Sequence, residues 1–376
     1  MRVTSFLPPS SIAAIGAYYF FYFGVIGAYL VYLPKLLYES GFSAWHIGVI
    51  FAINPLMRFL SPFLFLRRLQ LTSSLFVISV IISALLAVAH FWSVRDFWLL
   101  LINTIALGFC WSLQLPFVDA KAIRLLSRAV YGRVRILGSV GFIVSVLVLG
   151  KVPLTVAWVV GAIVVMAICA SIAGVMLVDA SDKMQDRVEG EGPSGLGGIG
   201  LSHWNFWISI VLMQVAFGAF YNFFTIYEAN HGVSQETISW LWTAGVVAEI
   251  VMLGFQGPWM RFDLMALIKL STALTVLRWL LLWLWPDRIG LVLLAQSLHA
   301  FSFALYHVAT LAYLANIATK LRLAQQFYYG LAFGLGGFAG SILSGLFYGS
   351  NLFLYAALVA AAALMALYLP VRIKSL

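Results

Sequence analysis

Apolar stretches recur along the whole chain, separated by short polar turns. Most are about 18–25 residues long, enough to cross a hydrocarbon core of about 30 Å as a helix. The runs 71–89 and 152–178 lack the apolar/polar alternation that a transmembrane strand carries. Lipid tolerates no unpaired backbone, so the pattern predicts helices. Twelve spans follow, at 12–33, 46–66, 71–90, 97–118, 135–150, 153–178, 204–227, 236–256, 263–284, 290–317, 326–347 and 351–370. The expected fold is an all-α membrane protein with twelve transmembrane helices in two six-helix bundles.

The only long polar stretch, 179–202, divides the spans six and six. It is charged and then glycine-rich, which reads as a flexible linker. The expected organisation is therefore 1–178, an N-terminal six-helix bundle, then the linker, then 203–376, a C-terminal one. Two such bundles can rock about a central site and expose it to each side in turn. No loop resembles a carbonyl-lined filter of a channel, and no loop except the linker has room for a catalytic domain.

Composition agrees with the pattern. Apolar and aromatic residues make up 63% of the chain and charged residues 9%, with a mean hydropathy of +1.01. A soluble domain carries about 25% charged residues. The net charge of +9 matters through its distribution, which argues against a nucleic-acid partner. Fifteen Lys and Arg fall on one side of the spans and four on the other. The positive-inside rule then puts both termini and the linker in the cytoplasm. The first apolar stretch is not followed by a small-residue cleavage site and reads as a true span. Cys110 and Cys169 lie in apolar stretches without disulfide or metal spacing, as small buried hydrophobes.

Charges at membrane depth are costly and therefore informative. Glu249, Arg58 and His299 fall near the middle of their spans, and Arg278 lies roughly 12 Å from the outer end of its helix. Glu249 reads as a carboxylate that takes up and releases a proton, or as the partner of a permanent ion pair with Arg278 or Arg58. Arg278 stays charged at any working pH and calls for a carboxylate or an anionic substrate. Arg58 poses the same question, with a structural interhelical bond as its rival. His299 is the second proton-coupling candidate, with Gln296 one turn away on its face. His307 lies eight positions further on and borders the same polar face, and the spacing of the two does not suit a metal.

Gln114, Gln214, Tyr221, Asn222, Tyr18 and Tyr22 are uncharged candidates for lining a cavity. Tyr18 and Tyr22 share one helix face at the i,i+4 interval. Convergent donors among aromatic rings suit a small organic solute containing a ring. On the cytoplasmic side, Asp119 with Arg133 and Arg135 reads as a gate across the loop between the fourth and fifth helices. Gly138, Gly141, Gly334, Gly336, Gly337, Gly340 and Gly345 allow close helix crossings.

YGRVRILGSVGF at 131–142, YNFFTIYEANHGVS at 221–234, WLWTAGVVAEI at 240–250, LRWLL at 277–281 and QSLHAFSFALYH at 296–307 carry a resemblance. The chain resembles the major facilitator superfamily over its full length, in the group containing the 3-phenylpropionate permease and near lactose permease and nucleoside–proton symporters. The resemblance implies a single polypeptide working as a monomer, with no cofactor and no enzymatic activity. It implies proton-coupled uptake of a small organic solute, with a phenylpropionate-like aromatic acid as the first substrate. A nucleoside or sugar symporter is the near alternative, and a non-transporting membrane receptor is the alternative of another class. It implies residence in the cell membrane, the inner one in a Gram-negative source. Lactose permease resembles this chain in an acid on the eighth helix, an arginine on the ninth and a histidine on the tenth. Those roles fall on Glu249, Arg278 and His299 or His307. Two departures stand out: no acid follows the histidine within 289–325, and the loop SPFLFLRRLQ at 61–70 lacks the superfamily's acid.

Overall fold

Side chains that satisfy the first free backbone N–H groups mark where many helices begin. Thr72 accepts from the Leu75 N–H, Asp96 from Leu99, Thr155 from Trp158, Ser234 from Thr237 and Asp263 from Ala266. The computed structural model describes residues 9–65, 71–178, 200 and 202–370, and all regular elements among them are helical. Of the stretch read as a linker, only Gly200 and Ser202 are among the described residues, and Arg67 and Arg68 lie outside them.

In chain order the helices are α1 (Pro9–Val31), α2 (Leu33–Glu39), α3 (Ala44–Phe65), α4 (Ser73–Ser93), α5 (Phe97–Leu125), α6 (Arg128–Gly150) and α7 (Val156–Leu177). Then follow α8 (Trp204–Asn230), α9 (Gln235–Gly254), α10 (Leu264–Leu284), α11 (Ile289–Ser297), α12 (Tyr306–Ile317), α13 (Leu321–Tyr328), α14 (Gly337–Leu346) and α15 (Leu352–Ala366). A π-helical segment, Ala300–Leu305, joins α11 to α12, and another, Tyr329–Gly336, joins α13 to α14.

Ten helical stretches among the described residues are long and apolar enough to cross a membrane. The protein is an all-α, multi-pass membrane protein. Outside the ten are α15, with 15 residues, and α3. The first crossing runs further than its hydropathy suggests, through α2 to Glu39. Pro34 does not stop it, because proline in a first turn forfeits only an N–H that the helix leaves free.

The chain forms two compact units: Met1–Ser40 with Ser61–Pro193, and Gly41–Leu60 with Ser194–Leu376. In the first, α1 packs along α6 and α7, and α4 along α5 and α7. Gly141 makes the α1–α6 approach possible, since a Cβ there would run into the backbone of Phe20. In the second, α8 is the central helix, buried along nearly its whole length against α14 and α15. Gly218 of α8 faces Gly340 of α14, and a Cβ on Gly340 would stand 2.7 Å from the Val215 carbonyl oxygen. Two backbones in contact have no flexible side chain to give way. Gly340→Leu should therefore cost about 1–3 kcal/mol of overpacking, measured as a lowered unfolding temperature of the detergent-purified protein. An unchanged temperature would mean that α8 and α14 can part freely.

Candidate functional site

Arg278 projects from α10 into the second unit and is wholly buried. An arginine in that position must spend its donors on something. One Nη donates to His299 Nδ1 at 2.8 Å and to Ser302 Oγ at 3.2 Å. The other donates to Gln296 Oε1 at 3.1 Å. The guanidinium carbon lies 4.3 Å from the ring centre of Phe220 and 4.5 Å from that of Trp279, and Phe217 is the third ring around it. Cation–π contacts of this kind supply part of what water no longer does. Nε has no hydrogen-bond partner. Among the described residues no ion pair joins Arg278 to a carboxylate, so neutral acceptors and ring faces stand where an acid was expected.

The guanidinium also sets the chemistry of His299. It can only donate, so Nδ1 must offer its lone pair, and a neutral ring then carries its hydrogen on Nε2. Nε2 faces the Glu249 carboxylate, 3.8 Å away, and that side chain is 25% exposed. The order Arg278, His299, Glu249 runs from the enclosed interior toward a more open face. Protonating His299 at Nδ1 would remove an acceptor from Arg278 and set two cations side by side.

The rings continue from this cluster. His299 stacks on Phe303 at 5.1 Å and 14°, and Phe303 on His307 at 6.2 Å and 8°. The two histidines thus border one face, as their spacing suggests, with a phenyl ring between them. His307 lies between the hydroxyls of Tyr328, 3.2 Å from Nδ1, and Tyr329, 3.4 Å from Nε2. Phe217 stacks on Tyr221, which lies in the field of Glu249, Arg278 and Arg58. Arg58 is exposed on α3, in the same unit, rather than buried like Arg278. Gln214 is buried against Gly336, and Asn222 is buried with its amide nitrogen unpartnered. Both π-helical segments border the cluster, and such bulges recur at functional sites because they break the regular ladder.

The first unit holds the other candidates. Gln114 accepts from the Tyr18 hydroxyl at 3.1 Å and donates to Ser83 Oγ at 2.6 Å and to the Ser79 carbonyl at 3.0 Å. It brackets α1, α4 and α5, and these bonds occupy its amide. Tyr22 stacks on Tyr18. The Tyr19 hydroxyl donates to Asp119 Oδ1 at 2.5 Å, and Arg135 Nε lies 3.9 Å from the same oxygen. Arg135 also lies over the rings of Phe23 and Tyr19, whereas Arg133 is exposed. Sequence reasoning missed Tyr19, Ser302 and Glu228, which is wholly buried near the end of α8. Glu228 comes after an apolar run at a span boundary, where an acid ordinarily reaches water, so nothing local flags it.

A small set of polar groups walled by aromatic rings inside a helical bundle is the form a solute site takes. The sequence profile of the MFS_1 like family matches residues 12–357. The chain belongs to that family. It is a secondary-active transporter of the major facilitator type for a small organic solute. Among the described residues no three His, Cys, Asp or Glu side chains converge as metal ligands would. The carrier is 26% identical over 356 residues to the probable 3-phenylpropionic acid transporter of Escherichia coli strain K12, covering 91% of this chain and 93% of that one. Its fold is similar to that of the nucleoside transporter NupG, with a TM-score of 0.80 at 14% identity, covering 95% of this chain and 98% of the other. The human organic anion transporter MFSD10 is similar at a TM-score of 0.65 and 14% identity, over 96% of this chain and all of that one (100%).

Proposed function

We propose that the carrier is a proton-coupled symporter of an aromatic, phenylpropionate-like carboxylic acid. The single observation behind this reading is the pairing of an enclosed cation, Arg278, with a partly exposed carboxylate, Glu249, through His299. With Glu249 ionised, the cluster is neutral. With Glu249 protonated, it carries the one positive charge of Arg278, and an anion is then attracted. Proton and anionic solute thereby favour each other's binding, and linkage makes the effect reciprocal. Arg58, exposed on α3, is the group assigned to touch the solute carboxylate. The stacked rings of His299, Phe303 and His307 offer the aromatic moiety a parallel face.

In this reading, halves 1–178 and 203–376 form twelve spans around the solute and are joined by a cytoplasmic linker at 179–202. Both termini are cytoplasmic, the monomer is the working unit, and Asp119 with Arg135 and Arg133 guards the cytoplasmic end. Support for the substrate comes from the likeness to the probable 3-phenylpropionic acid transporter of E. coli together with a cationic, ring-lined cluster. The likeness to NupG keeps a nucleoside as the second reading, supported by the fold alone.

Proteoliposomes with an imposed pH gradient test it. Labelled 3-phenylpropionate should accumulate against its concentration, and the accumulation should vanish when a protonophore collapses the gradient. Accumulation of a nucleoside with no entry of the acid would replace this reading by the second one.

A further inference from the structure

Glu228 sits in the last turn of α8, with no exposed surface. Neither carboxyl oxygen accepts a hydrogen bond, and no ion pair reaches it among the described residues. A buried carboxylate anion without a partner costs several kcal/mol or more, whereas the neutral acid sheds most of that penalty.

The surroundings offer nothing to neutralise it. On its own helix Tyr227 is the adjacent titratable group, and His231 is exposed with Nδ1 on the Tyr227 carbonyl. Across from α8, α9 contributes Glu236, exposed in its first turn, and Glu249, which faces His299. On α10, Arg278 is committed to His299, Gln296 and Ser302. The segment Tyr329–Gly336 brings Tyr329, α15 brings Tyr355, α14 has no titratable residue, and Tyr348 just beyond it packs on Phe223 and accepts from the Asn230 amide. None of these bonds to Glu228.

We propose that Glu228 is a second proton-binding site of the carrier, separate from Glu249 and loaded with its proton in this conformation. Asn230 ends the helix two residues later, about 3 Å along the axis. Beyond it the turn at His231 and Gly232 is exposed, with Gly232 at a φ of +82° that suits glycine. Fraying of that last turn brings the carboxyl to water without opening the Arg278 cluster, so the two carboxyls titrate independently. The proposal does not depend on which solute is carried.

Infrared spectroscopy of the full-length, detergent-purified protein tests it. At neutral pH a carboxylic-acid carbonyl band should be present, persist in Glu249→Gln, and be lost in Glu228→Gln and on raising the pH. An undiminished band in Glu228→Gln overturns the proposal. If that variant does not fold, Glu249→Gln alone decides: absence of the band at neutral pH overturns the assignment, and its loss in alkali supports it. Thermal unfolding gives an independent arm. Deprotonation strands an anion in the core, so wild type should lose stability with rising pH more steeply than Glu228→Gln. Stability that follows sodium concentration at fixed pH, and not pH, would assign the carboxyl to a metal cation and overturn the proton.

Discussion

Glu249→Gln should abolish most uptake driven by a pH gradient while leaving exchange of labelled for unlabelled solute largely intact. Glutamine copies the protonated carboxyl, so the cluster stays at one positive charge throughout the cycle. The anion still binds, but its binding no longer reports whether a proton is present. Coupling free energies between two sites run about 1–3 kcal/mol, and their loss corresponds to a 5- to 150-fold fall in gradient-driven accumulation. Exchange returns a loaded carrier and needs no proton release. Measuring both rates in one vesicle preparation separates the outcomes. Loss of both would make Glu249 a solute ligand or a structural acid. Retained accumulation would pass the coupling role to His299, whose unperturbed value of about 6.5 suits it but whose Nδ1 is committed to Arg278.

The second large effect belongs to the arginines, which the structure separates. Arg278→Ala should lower the stability of the protein by about 3–5 kcal/mol, the range for removing one member of a buried charged network. His299, Gln296 and Ser302 would each lose a bond, and the three surrounding rings would line a void. Thermal unfolding in detergent reads this directly, and uptake should fall for acidic and neutral solutes alike but further for the acid, which also loses the charge that attracts it. Arg58→Gln should leave the unfolding temperature nearly unchanged, because the side chain is exposed. It should instead weaken binding of the aromatic acid about tenfold, a loss of roughly 1.4 kcal/mol. Competition by the uncharged amide of the same acid should barely change. An equal loss for acid and amide would remove Arg58 from carboxylate recognition.

Much of this protein is legible without coordinates, because lipid imposes a simple rule. A segment that must pair its own backbone and bury no charge has to be a helix of about 20 apolar residues. Nine of the spans read from hydropathy overlap long apolar helical stretches, and the first continues through Pro34. Glu249, Arg278 and His299 were equally legible, since a charge inside such a helix has few explanations. Whether those three meet was not, because they lie on different helices and helix rotation is set by packing between side chains far apart in sequence. Tertiary structure decided that Arg278 leans on Phe220, Trp279, Gln296 and Ser302 rather than on an acid. It decided that Gln114 is a bracket within the first unit, that Asp119 answers to Tyr19 as well as Arg135, and that Arg58 stays exposed. Glu228 shows the limit most plainly. Two residues from a helix end, an acid reads as solvated, and only the packing of neighbouring helices around that last turn takes the water away.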